Sequence, residues 1–183
     1  ISIGLLLILL TYLYYPYMNK NKLQDDQFVQ KDSEKTLNDS QSTFENLEYE
    51  GLTSNMQKFS VKSESAYILD EDPDLVFMKK MRAEIFLNNG QTVIITSDRG
   101  KFHKESNDCW FVSNVVVDDS ETKIFAENLD LLATENFVKV YNKVRLNHPT
   151  SSLQADQMDY DFETKYFKVS MFSDEAVKMR VIK

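Results

Sequence analysis

Residues 125–133, FAENLDLLA, recur in modified form at a fixed interval along the chain. The stretch QADQMDYDF follows at residues 154–162, and TSDRGKFHK precedes it at residues 96–104. The second residue of each copy is small, at 97, 126 and 155, so the copies are spaced 29 residues apart, and an acid follows each small residue. A fixed period indicates structural units that stack on one another. The sequence therefore predicts a stacked architecture.

The pattern inside one unit suggests why the small residue recurs. Apolar side chains alternate up to Ala126 and resume at Leu129, a step of three inside a period of two. Such a step indicates an extra residue, as at a β-bulge or a sharp corner. Only a small side chain fits on the inside of a bend, so we expect Ser97, Ala126 and Ala155 there, with the acid that follows each facing water. KSESAYI (62–68) is a possible earlier copy.

The second half of each unit also alternates between apolar and polar positions. This alternation covers residues 109–117, 138–146 and 167–171. A period of two is typical of a half-buried strand, and no helical period persists beyond the N-terminal segment. The predicted fold class is therefore all-β, a β-jellyroll or stack of antiparallel strand repeats, preceded by one N-terminal transmembrane helix.

A hairpin is expected around Asn88-Asn89-Gly90. A three-residue loop with Gly90 in the left-handed conformation places apolar side chains opposite one another. A two-residue loop would instead set Glu84 beside Ile95, with a charge on the apolar face. The three-residue loop is favoured, and its expected pairs are Met81–Ser97, Ala83–Ile95 and Ile85–Val93.

The N-terminal segment, residues 1–18, contains no charged side chain. As a helix it would cover about 27 Å, close to the ~30 Å hydrocarbon core of a bilayer. Tyrosines cluster at its far end, where amphipathic rings favour the membrane boundary, and Pro16 discourages further helix. A cleaved signal peptide is the alternative, but YYPYMNKNK (14–22) offers no small-x-small cleavage site.

Three regions follow from these patterns. Residues 1–18 are predicted to be a transmembrane anchor, residues 19–43 a polar tether, and residues 44–183 a β-jellyroll domain. The chain begins at Ile1 without a methionine, so we expect upstream residues to be missing. The orientation of the span stays open, because the positive-inside rule needs both flanks.

Composition argues against several classes of function. The chain has 21 basic and 29 acidic side chains, a net charge of −8, whereas nucleic acids and anionic membrane surfaces attract basic proteins. One cysteine and two histidines are too few for an internal disulfide or a four-ligand zinc site. The acidic runs at 70–74 and 118–121 lack the spacing of a calcium loop. We expect no metal, no cofactor and no catalytic residue.

An anchored hydrolase that uses paired carboxylates is the enzyme alternative. The candidate acids are Asp98, Glu127 and Asp156. They fall on the outward face at the repeat interval, which suits solubility better than a site where two carboxylates converge. An enzyme is therefore the least favoured interpretation.

The order of these parts resembles the LptC family of lipopolysaccharide-export proteins. The resemblance covers the N-terminal span, the tether, YEGLTSNMQKFSVKSESA (49–66), the hairpin around NNG, and the AENLDL (126–131) and ADQMDY (155–160) repeats. It implies a single-pass protein of the inner membrane with its β-jellyroll in the periplasm. It further implies that lipopolysaccharide arrives from an inner-membrane ABC transporter and leaves to the periplasmic bridge protein LptA by edge-to-edge strand pairing, and that the helix tunes the transporter's ATPase cycle.

A lipid carrier needs apolar surface, since each buried CH₂ of an acyl chain contributes about 0.8 kcal/mol. The inward-facing positions of the repeats would supply that surface, although the same residues in any β-sandwich could simply form its core. The predicted lipid-lining residues are Val61, Ile85, Val93, Ile95, Phe102, Phe111, Val115, Ile124, Leu129, Leu131, Val138, Val140, Val144, Leu153, Met158 and Tyr160.

Exposed strand edges can pair with another chain. Two edges are expected, one at each end of the domain, for the transporter and for the LptA-like protein. The predicted interface residues are Tyr49, Phe59, Val61, Phe167, Val169, Met171, Val177 and Met179. The alternative to lipid transfer is a membrane-tethered scaffold of β-repeats that binds only protein partners.

Overall fold

The computed structural model describes residues 41–52, 57–87, 89–161, 163–164, 166–172 and 176–181. The predicted anchor at 1–18 lies outside the described residues, and so does the tether as far as residue 40. The described part of the chain contains no helix that is long and apolar enough to cross a membrane. All the described residues belong to the compact unit Asp39–Lys183.

The described residues form a sheet of ten strands, which confirms the all-β prediction for this part of the chain. The first strand begins at Gln41, a little before the predicted domain start at residue 44. The strands are β1 (Gln41–Leu52), β2 (Lys58–Leu69), β3 (Asp72–Phe86), β4 (Thr92–His103), β5 (Cys109–Asp118), β6 (Lys123–Leu132), β7 (Phe137–His148), β8 (Ser151–Asp161), β9 (Phe167–Ser170) and β10 (Lys178–Val181).

Every strand from β1 to β8 pairs antiparallel with the next one along the chain. β9 and β10 both pair with the far side of β8, so they form the two halves of one interrupted edge. The predicted hairpin is confirmed, because Ile85 pairs with Val93 and Ala83 with Ile95. Its loop closes through the Leu87 N–H, which donates to the Gln91 carbonyl at 2.8 Å, and Gly90 has a φ of 84°.

A corner interrupts the long strands near their midpoints. The register shifts between Thr96 and Arg99 in β4 and between Phe125 and Asn128 in β6. The small residues predicted for the inside of the bend are buried, with 6% of Ser97, 8% of Ala126 and 5% of Ala155 exposed. The interpretation of the repeated small residue is therefore confirmed.

Corners also occur in the odd-numbered strands, which the sequence pattern did not predict. The backbone there is left-handed, as φ is 53° at Asn46, 52° at Lys80 and 52° at Asn114. In β7 the left-handed residues are Asn142 and Lys143. Asn adopts this conformation more readily than most residues because its short polar side chain can hydrogen-bond locally. The corner residues of neighbouring strands thus form one line across the sheet.

The corner line divides the sheet into two layers. The first layer consists of residues 47–52, 58–62, 82–86, 92–96, 115–118, 123–126, 144–148, 151–155 and 178–181. The second layer consists of residues 41–45, 65–69, 72–79, 99–103, 109–112, 128–132, 137–141, 157–161 and 167–170.

The two layers face each other across the core. The ring of Tyr49 in the first layer lies 4.8 Å from the ring of Phe102 in the second, measured between centroids. Their strands, β1 and β4, are not neighbours in the sheet, so this contact requires the sheet to fold back on itself. The most deeply buried large side chains, including Phe102, Phe111 and Met81, lie between the layers.

Among the described strands, the sheet ends at β1 on one side and at β9 and β10 on the other. Tyr49, Phe167, Val169 and Met179 lie on these edge strands, in agreement with their predicted edge position. Four other predicted edge residues do not. Phe59 and Val61 are buried in β2, which pairs with both β1 and β3, and Met171 and Val177 lie in the segment between β9 and β10.

The edge prediction was wrong for Phe59 and Val61 because β1, at Gln41–Leu52, covers β2. Most of β1 lies within a polar stretch of the sequence, so its length as a strand is not evident from apolar alternation. Backbone pairing with β2 stabilises it.

Gly100 should be essential to the packing of β4. A Cβ atom there would lie 2.7 Å from the Trp110 carbonyl oxygen and would clash with the Met81 sulfur. We expect Gly100→Ala to lower the free energy of unfolding by about 1–3 kcal/mol, the usual cost of overpacking a core. Urea denaturation, followed by the fluorescence of Trp110, measures this change.

Gly90→Asn is the matched control, since nothing lies within 4 Å of a Cβ at Gly90 and Asn tolerates its positive φ. It should change stability by only a few tenths of a kcal/mol. Equal stability of the Gly100→Ala variant and the unmodified protein would contradict the packing described here.

Cys109 should be unreactive in the folded protein. Its side chain is buried, and burial, with a smaller effect of Asp108, raises the pKa of the thiol. Since the thiolate is the reactive form, a thiol-specific reagent at neutral pH should label the native protein far more slowly than the protein in urea. Rapid labelling of the native protein would show that this end of β5 is not buried between the layers.

Candidate functional site

An apolar groove of about 530 Å³ lies between the two layers. Both layers contribute to its walls, Val93 and Ile124 from the first layer and Leu131 and Val138 from the second. Its volume is in the range of sites that hold small ligands. The folding of the sheet at the corner line therefore creates a concave apolar surface.

Burial decreases from the corner line towards the groove mouth in the first-layer part of β4 and in the second-layer part of β6. Ile95, near the corner, is 3% exposed, whereas Val93 is half-buried. In the second layer Leu129 is 1% exposed, while Leu131 on the same face is half-buried. On these strands the side chains farther from the corner leave apolar surface uncovered. Burial also decreases across the sheet, from Ile95 on β4 to Ile124 on β6 in the same row.

The structure brings most of the predicted lipid-lining residues together in the groove. Those that line it are Val61, Ile85, Val93, Ile95, Ile124, Leu129, Leu131, Val138, Val140, Met158 and Tyr160.

The other predicted lining residues are not part of the groove surface. Phe102 and Phe111 are completely buried, and Val115 and Val144 are 1% exposed beside the corner. These four positions belong to the core. Val115 and Val144 lie where the sheet bends, whereas Phe102 lies in the same row as the groove residue Leu131 but on β4, nearer to β1. Leu153 is half-buried and packs against the core outside the groove lining.

Several groove residues were missing from the predicted set. Val117 and Leu146 continue the inward alternation of β5 and β7, and Leu87 and Ala133 lie where strands end. The alternation contained a signal for the first two. Phe167, predicted only as an interface residue, also lines the groove and is 49% exposed.

A few polar groups lie along the groove. The Asp119 carboxylate accepts a hydrogen bond from the Thr122 N–H at 2.6 Å, within its own turn. The Asp159 carboxylate accepts one from the Gln157 side-chain amide at 2.7 Å. The buried Asn107 Oδ1 has no hydrogen-bond partner among the described residues. A buried carbonyl without a partner is unfavourable, so Asn107 is the one place in this part of the chain where the groove offers an unused buried acceptor.

The first two corner acids are engaged by polar side chains of neighbouring strands. Asp98 accepts hydrogen bonds from Lys80 at 2.6 Å and from Asn114 at 2.5 Å, and the bond from Lys80 is the main cause that lowers the pKa of Asp98. Glu127 pairs with Lys143 at 3.1 Å. Each carboxylate is thus engaged with a neighbouring corner residue, and the acids act in the structure of the bend.

Asp156, the last corner acid, accepts the Phe172 N–H at 2.8 Å. This bond holds the chain where it leaves β9. Within the described ranges, no cluster of three His, Cys, Asp or Glu side chains could hold a metal ion.

Asp130 is an ionisable group on the outer face of the second layer whose pKa is affected by burial. Desolvation raises its pKa, while Lys139 and a hydrogen bond from the Tyr141 hydroxyl partly oppose the shift. Its neighbours Leu129 and Leu131 face the groove, so Asp130 itself faces away from it. This ionisable group is therefore separate from the groove.

Comparison with known proteins agrees with the fold. The model of the family described as lipopolysaccharide-assembly, LptC-related, matches residues 4–171. No curated protein sequence matches the chain significantly. Among solved structures, the chain is similar to the crystal structure of LptH from Pseudomonas aeruginosa, the LptA homologous periplasmic component of the conserved lipopolysaccharide transport device.

The structural match to LptH has a TM-score of 0.52 and 13% sequence identity, and it covers 68% of this chain and 95% of that chain. At this identity the similarity shows a shared fold, that of an LptA-type β-jellyroll. The family match spans most of the 183 residues and confirms the resemblance inferred from the order of the repeats, the hairpin and the N-terminal segment. The chain belongs to the LptC-related family of lipopolysaccharide-assembly proteins.

Proposed function

We propose that the chain is a non-enzymatic carrier that holds the acyl chains of lipopolysaccharide in the groove between its layers. The observation that supports this function is the half-buried apolar rim, to which Ile124 and Leu131 contribute from opposite layers. A closed core would cover these side chains completely. Apolar surface facing an open space gains free energy when a second apolar surface covers it.

The chemistry of the groove suits a ligand that must be bound and released. Each CH₂ group that leaves water contributes about 0.8 kcal/mol, so a partly inserted acyl chain is held without any specific polar contact. The net charge of −8 disfavours close contact with phosphates, which leaves the sugar–phosphate head outside the groove. Weak head-group contact allows the lipid to move on.

The location and partners of the carrier form the second part of the proposal. Residues 1–18 would anchor the chain in the inner membrane as a single span, with the β domain in the periplasm. The β1 edge would receive lipid from the jellyroll of an inner-membrane ABC transporter, and the edge at β9 and β10 would pass it to an LptA-like bridge protein. Support comes from the family match and from the two sheet edges.

A photocrosslinking amino acid should distinguish the groove from the outer face. Placed at Ile124 or Leu131, it should give adducts with lipopolysaccharide, because both residues line the groove. Placed at the adjacent Phe125 or Asp130, which face the other way, it should give few or none. Lipopolysaccharide is detected on the crosslinked band by immunoblotting after irradiation in cells.

The paired positions are matched controls, since each inward residue is compared with its immediate neighbour. Adducts with protein but not with lipid at Ile124 and Leu131 would favour the alternative, a tethered scaffold that binds only proteins. Equal lipid labelling at all four positions would also contradict the groove, because it would indicate adsorption to the surface.

The edge at β10 should be required for capture of the LptA-like partner. All four residues of β10 are exposed, and the strand pairs only with β8 among the described strands. We expect a chain that ends after Phe172 to lose most of its ability to retain an LptA-like protein in a pull-down, because an added strand pairs with a free strand edge and this variant lacks the edge of β10. Lipid crosslinking at Leu131 should persist in the same variant.

Unchanged capture of the LptA-like protein by the shortened chain would refute the assignment of β10 as the outgoing edge. Loss of lipid labelling at Leu131 together with loss of capture would show that the truncation damages the groove itself.

A further inference from the structure

The two ends of the groove differ. At the β9 end, Tyr160 and Phe167 line the groove, and Phe167 is 49% exposed, so this end is open to solvent. At the β1 end, no residue of β1 lines the groove, and on that side of the second layer the lining begins only at β5. The groove is therefore open at one end and ends before it reaches β1.

Three aromatic rings stand between the groove and the β1 edge. The Tyr49 ring lies 4.8 Å from that of Phe102 and 6.1 Å from that of Phe59, between centroids. Phe59 and Tyr49 belong to the first layer and Phe102 to the second, so the rings join the layers. We call Tyr49, Phe59 and Phe102 the ring wall.

Close packing holds two rings of the ring wall, Phe59 and Phe102, in place. Phe102 is completely buried, and Val76, its partner on β3, is 2% exposed. Gly51 lets the Phe59 ring lie directly against the β1 backbone, because a Cβ at Gly51 would be only 2.7 Å from Phe59 Cε1. Two of the three rings are thus fixed by close packing.

Tyr49 is the ring that can move. It is half-buried, whereas the other two rings are buried, and it lies on the edge strand β1, which pairs on one side only within the described sheet. Its neighbours Glu48 and Glu50 are exposed. A side chain at an exposed edge changes rotamer more easily than one enclosed on all sides.

We propose that Tyr49 is a gate at the β1 end of the groove, which an acyl chain entering from that side displaces. This inference rests on the proposed lipid-carrying function and adds a residue that controls entry. In the closed state, the Tyr49 ring fills the space between the layers and shields Phe102 from water. An incoming acyl chain is apolar and covers the same surface of Phe102. Replacement of the Tyr49 ring by the acyl chain therefore leaves no apolar surface exposed.

The gate can be tested by lipid crosslinking at two positions in the full chain, with purified lipopolysaccharide as the probe. Leu47 is an inward residue of β1 that packs on the core but does not line the groove, and Leu131 lines the groove. In the unmodified chain, Leu131 should be labelled and Leu47 should be labelled weakly. In Tyr49→Ala, labelling at Leu47 should rise about fivefold or more, since loss of two ring contacts shifts an equilibrium by that order.

Three variants make the result specific to the ring. Tyr49→Phe keeps both ring contacts and should behave like the unmodified chain. Tyr49→Leu removes the ring but keeps an apolar side chain, so it serves if Tyr49→Ala folds poorly, and it should also raise labelling at Leu47. Tyr141→Ala removes a half-buried tyrosine from the outer face of the second layer and should leave both positions unchanged.

Two results would overturn the gate while leaving lipid binding intact. One is strong labelling of Leu47 in the unmodified chain, and the other is weak labelling of Leu47 in both Tyr49→Ala and Tyr49→Leu while Leu131 is labelled normally. No lipid at Leu131 in any folded variant would instead overturn the lipid-carrying function, and the gate with it. The fluorescence of Trp110 reports whether each variant is folded.

Discussion

The bend of the sheet along the corner line is the constraint on which the other features of this domain depend. Antiparallel pairing of successive strands would give one wide sheet with a single apolar face, and such a face has to be covered. The left-handed backbone at Lys80, Asn114 and Asn142 turns the odd strands, and the small residues Ala126 and Ala155 make room inside the bend of the even ones. The sheet can then cover its own apolar face.

The same bend explains why the domain has a groove as well as a core. Near the corner the layers are close, so Phe111 and Val144 are completely or almost completely buried and contribute to stability. Farther out the layers separate, and Leu131 and Val138 remain half-buried. One alternating pattern therefore supplies both the packed core and the apolar surface that we assign to lipid. Distance from the corner and position across the sheet together decide which of the two a residue belongs to, since Phe102 and Leu131 lie in one row across β4, β5 and β6.

Charge at the corner has a structural explanation. Two of the acids that follow a small residue pair with a corner lysine of a neighbouring strand, Asp98 with Lys80 on β3 and Glu127 with Lys143 on β7. These ion pairs are exposed to solvent, and exposed pairs are weak. Their regular recurrence follows from the repeat itself, because each unit places its acid at the same point of the bend. A recurring carboxylate in a stacked fold is thus weak support for catalysis.

The sequence by itself determined the strand character, the hairpin register and the inward position of the small residues. These depend on local alternation and on spacing, as Ala83 opposite Ile95 and the buried Ala155 show. It also indicated the family, through the order of its parts. Alternation reports which face of a strand is apolar, but it does not report how far apart two such faces lie.

Only the tertiary structure decided which inward residues meet the groove and which edges stay unpaired. Phe102 and Leu131 have the same pattern in the sequence, yet one is completely buried and the other lines the groove. Val61 is covered because β1 pairs with β2, and the contact of Tyr49 with Phe102 joins residues from strands that are not neighbours. These outcomes depend on the fold of the whole sheet, since the separation of the layers is set by the bend and by packing between distant strands.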